Sequence, residues 1–177
     1  MSFQPSINCL PVYPVSNNPD ENAIEVLPCL YSGEVEQCAD SHLLPSADVI
    51  SLSDAQIDFN VYSTFRYLAF QIKHIGEFFL IGLRVEDTSG VFRSVMISNN
   101  RSTVLISRNE VKMPLVVKEG WQFIGIDLED IIRRTFGVGY RSCSQLIVSG
   151  SCRIWRIYFQ EKEYADCQLP YFLRVGI

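Results

Sequence analysis

The sequence predicts an all-β protein: an antiparallel β-sandwich of jelly-roll type carrying one short α-helix. From Ala47 onward, apolar runs are short and repeat with a period near two. Turn residues separate these runs at close spacing. Only residues 127–137 show helical spacing. Many short strands with frequent turns close into sandwiches or jelly rolls, because each strand has one apolar face to bury.

Along the chain, residues 1–46 read as an acidic, proline-rich arm and residues 47–177 as one sandwich domain. Six of the eight prolines lie in the first 45 residues. Proline donates no ladder hydrogen bond, so this stretch is not expected to sustain regular structure. Asn17-Asn18-Pro19-Asp20 reads as a turn, and residues 24–27 as one short strand.

Strands are predicted at 49–52, 67–73, 79–86, 91–98, 103–106, 115–117, 122–126, 145–149 and 153–159. Phe79, Ile81, Leu83 and Val85 alternate with Leu80, Gly82, Arg84 and Glu86, giving one apolar and one mixed face. Asp87-Thr88-Ser89-Gly90 is a hairpin turn, and Asn99-Asn100 a second turn. Asp127 is placed to cap the helix, with Glu129 and Asp130 in its first turn and Arg133 and Arg134 near its end. Leu128, Ile131, Ile132 and Phe136 form its apolar stripe, and Gly137 suits the position after it.

Composition narrows the function. The 177 residues are 47% hydrophobic and 20% charged, which argues against wholesale disorder and against a coiled coil. The longest apolar stretch, Phe78 to Ile81, is far short of the roughly 20 residues that span a bilayer. Met1-Ser2-Phe3-Gln4-Pro5 has no secretory character, so a cytosolic protein with reduced cysteines is expected. The net charge of −5 hides an asymmetry: residues 1–65 carry nine acids and no Lys or Arg, whereas the rest carries 15 basic residues against 11 acids. The low isoelectric point disfavours nucleic acid.

Enzyme chemistry finds little support. Cys29, Cys38 and His42 lack the spacing of a zinc site. Cys143 and Cys152 read as buried thiols. His42 and His74 have no neighbouring nucleophile. Gly137-Val138-Gly139 follows a helix and cannot aim N–H groups at a phosphate. Asn100-Arg101-Ser102 reads as an accidental sequon, since no signal peptide is expected. No catalytic, cofactor or metal site is therefore expected. What stands out instead is arginine: Arg93, Arg101, Arg108, Arg133, Arg134, Arg141, Arg153 and Arg156 outnumber four lysines. Trp155, between Arg153 and Arg156, is the aromatic candidate for an exposed contact, against the plainer reading of core or rim packing.

One series of motifs runs through Gly120-Trp121, Ile126-Asp127-Leu128-Glu129-Asp130, Arg133-Arg134-Thr135-Phe136-Gly137 and Tyr140. It continues through Cys152-Arg153-Ile154-Trp155-Arg156-Ile157-Tyr158-Phe159, Leu169-Pro170 and Arg174. In the order and spacing of these motifs the C-terminal two-thirds resembles the domain of the cilia- and flagella-associated protein 20 family. The resemblance implies a jelly-roll sandwich shaped like a carbohydrate-binding module, with Arg174 in a last strand. It implies a non-enzymatic structural role at the inner junction of doublet microtubules, where A and B tubules are linked. The implied partners are tubulin and junction proteins such as the Parkin co-regulated protein, with no nucleic acid and no membrane. The implied location is the cytoskeleton of the axoneme or basal body. The acidic residues 5–45 depart from the family pattern, as does Trp155, where the family commonly has a basic residue; both suggest a paralogue.

Arginine suits an acidic cytoskeletal surface, so Arg93, Arg133, Arg134, Arg153 and Arg156, with Trp155, are the expected partner-binding residues. A basal-body protein, or a sandwich binding glycan or peptide around Trp155, is the alternative.

Overall fold

A computed structural model describes residues 7–14, 29–43 and 48–175. Among the described residues ten strands form in chain order: β1 Cys9–Tyr13, β2 Cys29–Ala39, β3 Asp48–Ser63, β4 Tyr67–His74, β5 Phe79–Asp87, β6 Phe92–Ser98, β7 Leu105–Ile106, β8 Glu110–Pro114, β9 Gly120–Asp127 and β10 Tyr140–Gln160. The helix α1 spans Leu128–Phe136 between β9 and β10.

β10 is the spine, and it belongs to both layers. Its first half pairs with β3 on one side and β5 on the other, Leu146 lying opposite Phe59 and Leu83. Its second half pairs with β4 and, across from it, with the start of β3 and then β1. There Ile154 faces Ile72 and Ile50, and Ile157 faces Phe70 and Tyr13. The change of neighbours falls at Gly150, whose φ of 107° no side-chain-bearing residue adopts comfortably. One layer therefore runs β2-β3-β10-β5-β6-β8-β7, and the other places β1 and β9 outside the β10–β4 pair. Their inner faces share one core, with Phe79, Ile81, Leu83 and Val85 of β5 and Leu68, Phe70 and Ile72 of β4 in the same buried cluster. The predicted β-sandwich with one helix is the architecture observed. Its strand pairs are antiparallel except β6 with β8, which run parallel.

Several elements differ from expectation. The runs 145–149 and 153–159 are one strand of 21 residues, because backbone pairing continues through the Gly150 irregularity. The run 49–52 opens a strand of 16 residues, which buried Ile57, Phe59 and Val61, alternating with Asp58 and Asn60, carry on to Ser63. Residues 115–117 are not a strand; Glu110–Pro114 is, seated against β6 through Val111 opposite Val95. Only Leu105–Ile106 of 103–106 is strand. Arg174 is not in a strand: it follows a 3-10 turn and donates Nε to the Leu169 carbonyl at 2.8 Å.

The proline-rich region also holds regular structure. β2 runs for 11 residues between Pro28 and Pro45, a window without proline. β1 contains Pro11 at a point where the register with β10 slips, and its Val12 and Tyr13 are fully buried. The strand expected at 24–27 and the turn at 17–20 lie outside the described residues.

At α1 the Asp127 carboxylate accepts the Asp130 backbone N–H at 3.1 Å, and Gly137 ends the helix at φ 72°. Within the helix Leu128 and Ile132 are fully buried, whereas Ile131 and Phe136 are half-buried on the flanks. The stripe is thus narrower than the spacing suggested: residues i and i+4 point straight at the sheet, and i+3 leans to its edge.

Candidate functional site

The candidate side chains sit in two places. On the outer face of the second half of β10, Arg153, Trp155 and Arg156 lie beside Lys73 of β4 and Trp121 of β9. Lys73 is the register partner of both Arg153 and Trp121. An acid from the N-terminal region meets this row: Asp40, directly after β2, is 3% exposed. Its carboxylate accepts from Arg153 Nη1 at 2.6 Å, Lys73 Nζ at 2.9 Å, the His42 backbone N–H at 2.9 Å and, more distantly, Trp121 Nε1 at 3.4 Å. Burial alone would raise the Asp40 carboxyl. The four donors outweigh it and hold the group well below the usual carboxylate range. Arg153 is therefore an internal ion-pair partner of the acidic region.

Next to it, Trp121 and Trp155 pack edge to face with ring centroids 5.9 Å apart. The Arg156 guanidinium lies 4.7 Å over the Trp155 ring and donates Nη1 to the Trp155 carbonyl at 2.8 Å. Desolvation lowers the Arg156 guanidinium to about 10, so it remains a cation at neutral pH. The Trp155 indole N–H and the Arg156 Nε are buried without a hydrogen-bond partner. Trp155 is half-buried, with Arg156 on its ring and Trp121 against it, which differs from the open platform that stacks on a sugar.

The second place is around α1. Arg93 of β6 donates Nε to Asp87 Oδ2 at 2.9 Å and Nη1 to the Arg108 carbonyl at 2.6 Å, and lies 4.5 Å over the Phe136 ring. Asp87 is fully buried; burial would raise its carboxyl, but the Val91 N–H, Arg93 and the Ser89 N–H hold it low. Arg93 is thus a strut between the 87–90 turn, the 108–109 loop and the helix. Arg133 and Arg134 differ. Their side chains are 64% and 81% exposed, and each pairs with the acid four residues earlier, Glu129 and Asp130. Exposed pairs of this kind contribute on the order of 0.5 kcal/mol, so both guanidinia exchange partners at little cost.

Composition had pointed to the arginines but not to Asp40, whose partners Lys73 and Arg153 are 33 and 113 residues away. No local pattern marks it; the only signal was a surplus of acid in one segment and of base in another. Cys29 and Cys38 lie free on β2, and no group of three or more His, Cys, Asp or Glu among the described residues is placed to hold a metal ion. No helix among the described residues is long and apolar enough to cross a membrane.

Comparison with known proteins places this architecture. Two relatives named cilia- and flagella-associated protein 20, from Paramecium tetraurelia and Chlamydomonas reinhardtii, are each 33% identical over 104 residues, 59% of this chain and 54% and 55% of theirs. The Caenorhabditis elegans protein of that name is 27% identical over 99 residues, covering 56% of this chain and 49% of its own. The chain thus spans about half the length of the curated relatives it matches. Among solved structures, a family 11 carbohydrate-binding module of a Clostridium thermocellum cellulase overlaps 92% of this chain and 93% of its own, at 12% identity and a TM-score of 0.35. Tailspike protein 4 of bacteriophage CBA120 overlaps 75% of this chain and 19% of its own, at 17% identity and a TM-score of 0.36. Likeness at that level says nothing about a ligand. The CFA20 domain model matches residues 46–176, from just before β3 to beyond the last 3-10 turn, and the chain belongs to that family.

Proposed function

We propose that this protein is a non-enzymatic structural component of cilia or flagella that docks on the microtubule lattice. The observation that carries the reading is the CFA20 domain across residues 46–176, shared with relatives named for cilia and flagella. The surplus of base over acid after residue 65 supports an acidic partner surface, and tubulin is the partner proposed. Linking of A and B tubules at the inner junction, beside a Parkin co-regulated protein, is the finer form of this proposal. The position proposed is the axoneme, with the basal body as the alternative.

Arg133 and Arg134 are the proposed contacts, since they are exposed and weakly engaged. Arg93 supports the helix through Phe136, whereas Arg153, Trp155 and Arg156 belong to the same proposal as a second partner surface on the outer face of β10. Reversing Arg153 or Arg156 would strip Asp40 or Trp155 of its partner and perturb the fold, so the clean test lies on the helix. Wild-type protein should sediment with microtubules, less so as salt rises, and Arg133→Glu with Arg134→Glu should remove most of the pelleted fraction. Equal pelleting by that folded variant would move the contact away from α1.

A further inference from the structure

The outer face of the first layer contains a groove bordered by Arg93 and the loop that it pins. It has a volume of about 600 Å3. Its floor is Gly82 of β5, flanked in register by Ile147 of β10 and Met96 of β6. A glycine between two apolar neighbours leaves a slot one side chain deep. Arg84 forms one wall, its guanidinium 4.4 Å over the ring of Phe92, which is itself 47% exposed. The 107–110 loop forms the other and brings in Arg108. Arg93 pins that loop, donating to the Arg108 carbonyl and to Asn109 Oδ1 at 3.0 Å.

Charge decides what fits. Around the groove, Arg93 is neutralised by Asp87, and Glu110 by Lys112. Arg84 and Arg108 make no ion pair among the described residues and are both exposed. The rim therefore carries two unneutralised guanidinia above an apolar slot. Contact with the Phe92 ring steadies the Arg84 guanidinium, a group that can grip a carboxylate bidentately. A bare polyanion would use the guanidinia and waste the slot; a purely apolar segment would leave them unpaired.

We propose that this groove docks an extended acidic segment of a partner protein. One apolar side chain seats over Gly82 between Ile147 and Met96, and neighbouring carboxylates lie on Arg84 and Arg108. The inference is independent of the microtubule reading, because it requires only a peptide in solution.

The test uses fluorescence anisotropy of the full chain with a short fluorescein-labelled, glutamate-rich peptide bearing one central leucine, and with its counterpart bearing serine. The leucine peptide should bind more tightly, with affinity falling as salt rises. Gly82→Val should erase the advantage of leucine. A Cβ at Gly82 would meet Ile147 Cβ and Leu80 Cδ2 at 3.5 Å, ordinary contact, and its φ lies outside the left-handed region, so the backbone there accepts a side chain; a melting curve of the variant checks that its fold is kept. Arg84→Glu with Arg108→Glu should weaken binding about tenfold or more, and Lys118→Glu should not. If the charge reversal lowers the melting temperature, Arg84→Gln with Arg108→Gln serves in its place. Equal affinity for the two peptides, no effect of Gly82→Val, or heparin binding as tightly as the leucine peptide would each overturn the proposal.

Discussion

The carboxylate of Asp40 and the guanidinium of Arg153 meet at 2.6 Å across 113 residues of sequence. This contact joins the acidic N-terminal region to the second half of β10, and Lys73 reinforces it from β4 at 2.9 Å. The charge asymmetry along the chain is thus partly cancelled inside the molecule rather than wholly displayed on it.

Asp40→Asn should cost about 3 kcal/mol, because it leaves a largely buried Lys73 and a half-buried Arg153 without their acid. It should also change the acid limb of stability. Asp40 titrates lower folded than unfolded, so its contribution is complete above the unfolded value of about 3.9 and is lost as pH falls from there toward the folded value. Urea unfolding across this acid range should show a shallower loss for the variant than for the wild type. Parallel curves would mean that Asp40 does not carry that linkage.

In α1, Leu128→Ala and Ile132→Ala should each cost about 2–5 kcal/mol, since both side chains are fully buried. Ile131→Ala should cost less, being half-buried, and Arg133→Ala and Arg134→Ala less than about 1 kcal/mol each. Thermal melts of the five variants give the order. A larger loss from Ile131 than from Ile132 would rotate the buried face of the helix.

Gly150→Ala should be among the most damaging single substitutions outside the core. The residue sits at φ 107°, and an added Cβ would collide with the Phe78 carbonyl oxygen and the Phe79 Cα. Both are backbone, so nothing flexible can give way. A loss of at least about 2 kcal/mol in chemical denaturation is expected. A near-neutral result would mean that β10 does not need this bend to change layers.

Strands with a clean alternation were legible in the sequence, β5 most of all, because its inward positions from Phe79 to Val85 are all apolar. The helix was legible from its cap, its charges and Gly137. β2 was not: nearly all of its residues are exposed at an edge, so no burial pattern marked it. β8 hid because Val111 is its only fully buried residue. The continuity of β10 hid because Gly150 reads as a turn residue, while the ladder to β3 runs past it. Arginine enrichment was visible, but its division into exposed and internally paired residues was not, since that depends on contacts made across the whole chain.

Placement of the full chain in a ciliated cell tests the central claim most directly. A tagged copy should label the axoneme and remain there after the membrane is extracted with detergent, and the Arg133→Glu, Arg134→Glu variant should be released. Uniform label through the cytosol, with none retained on the extracted axoneme, would contradict the account.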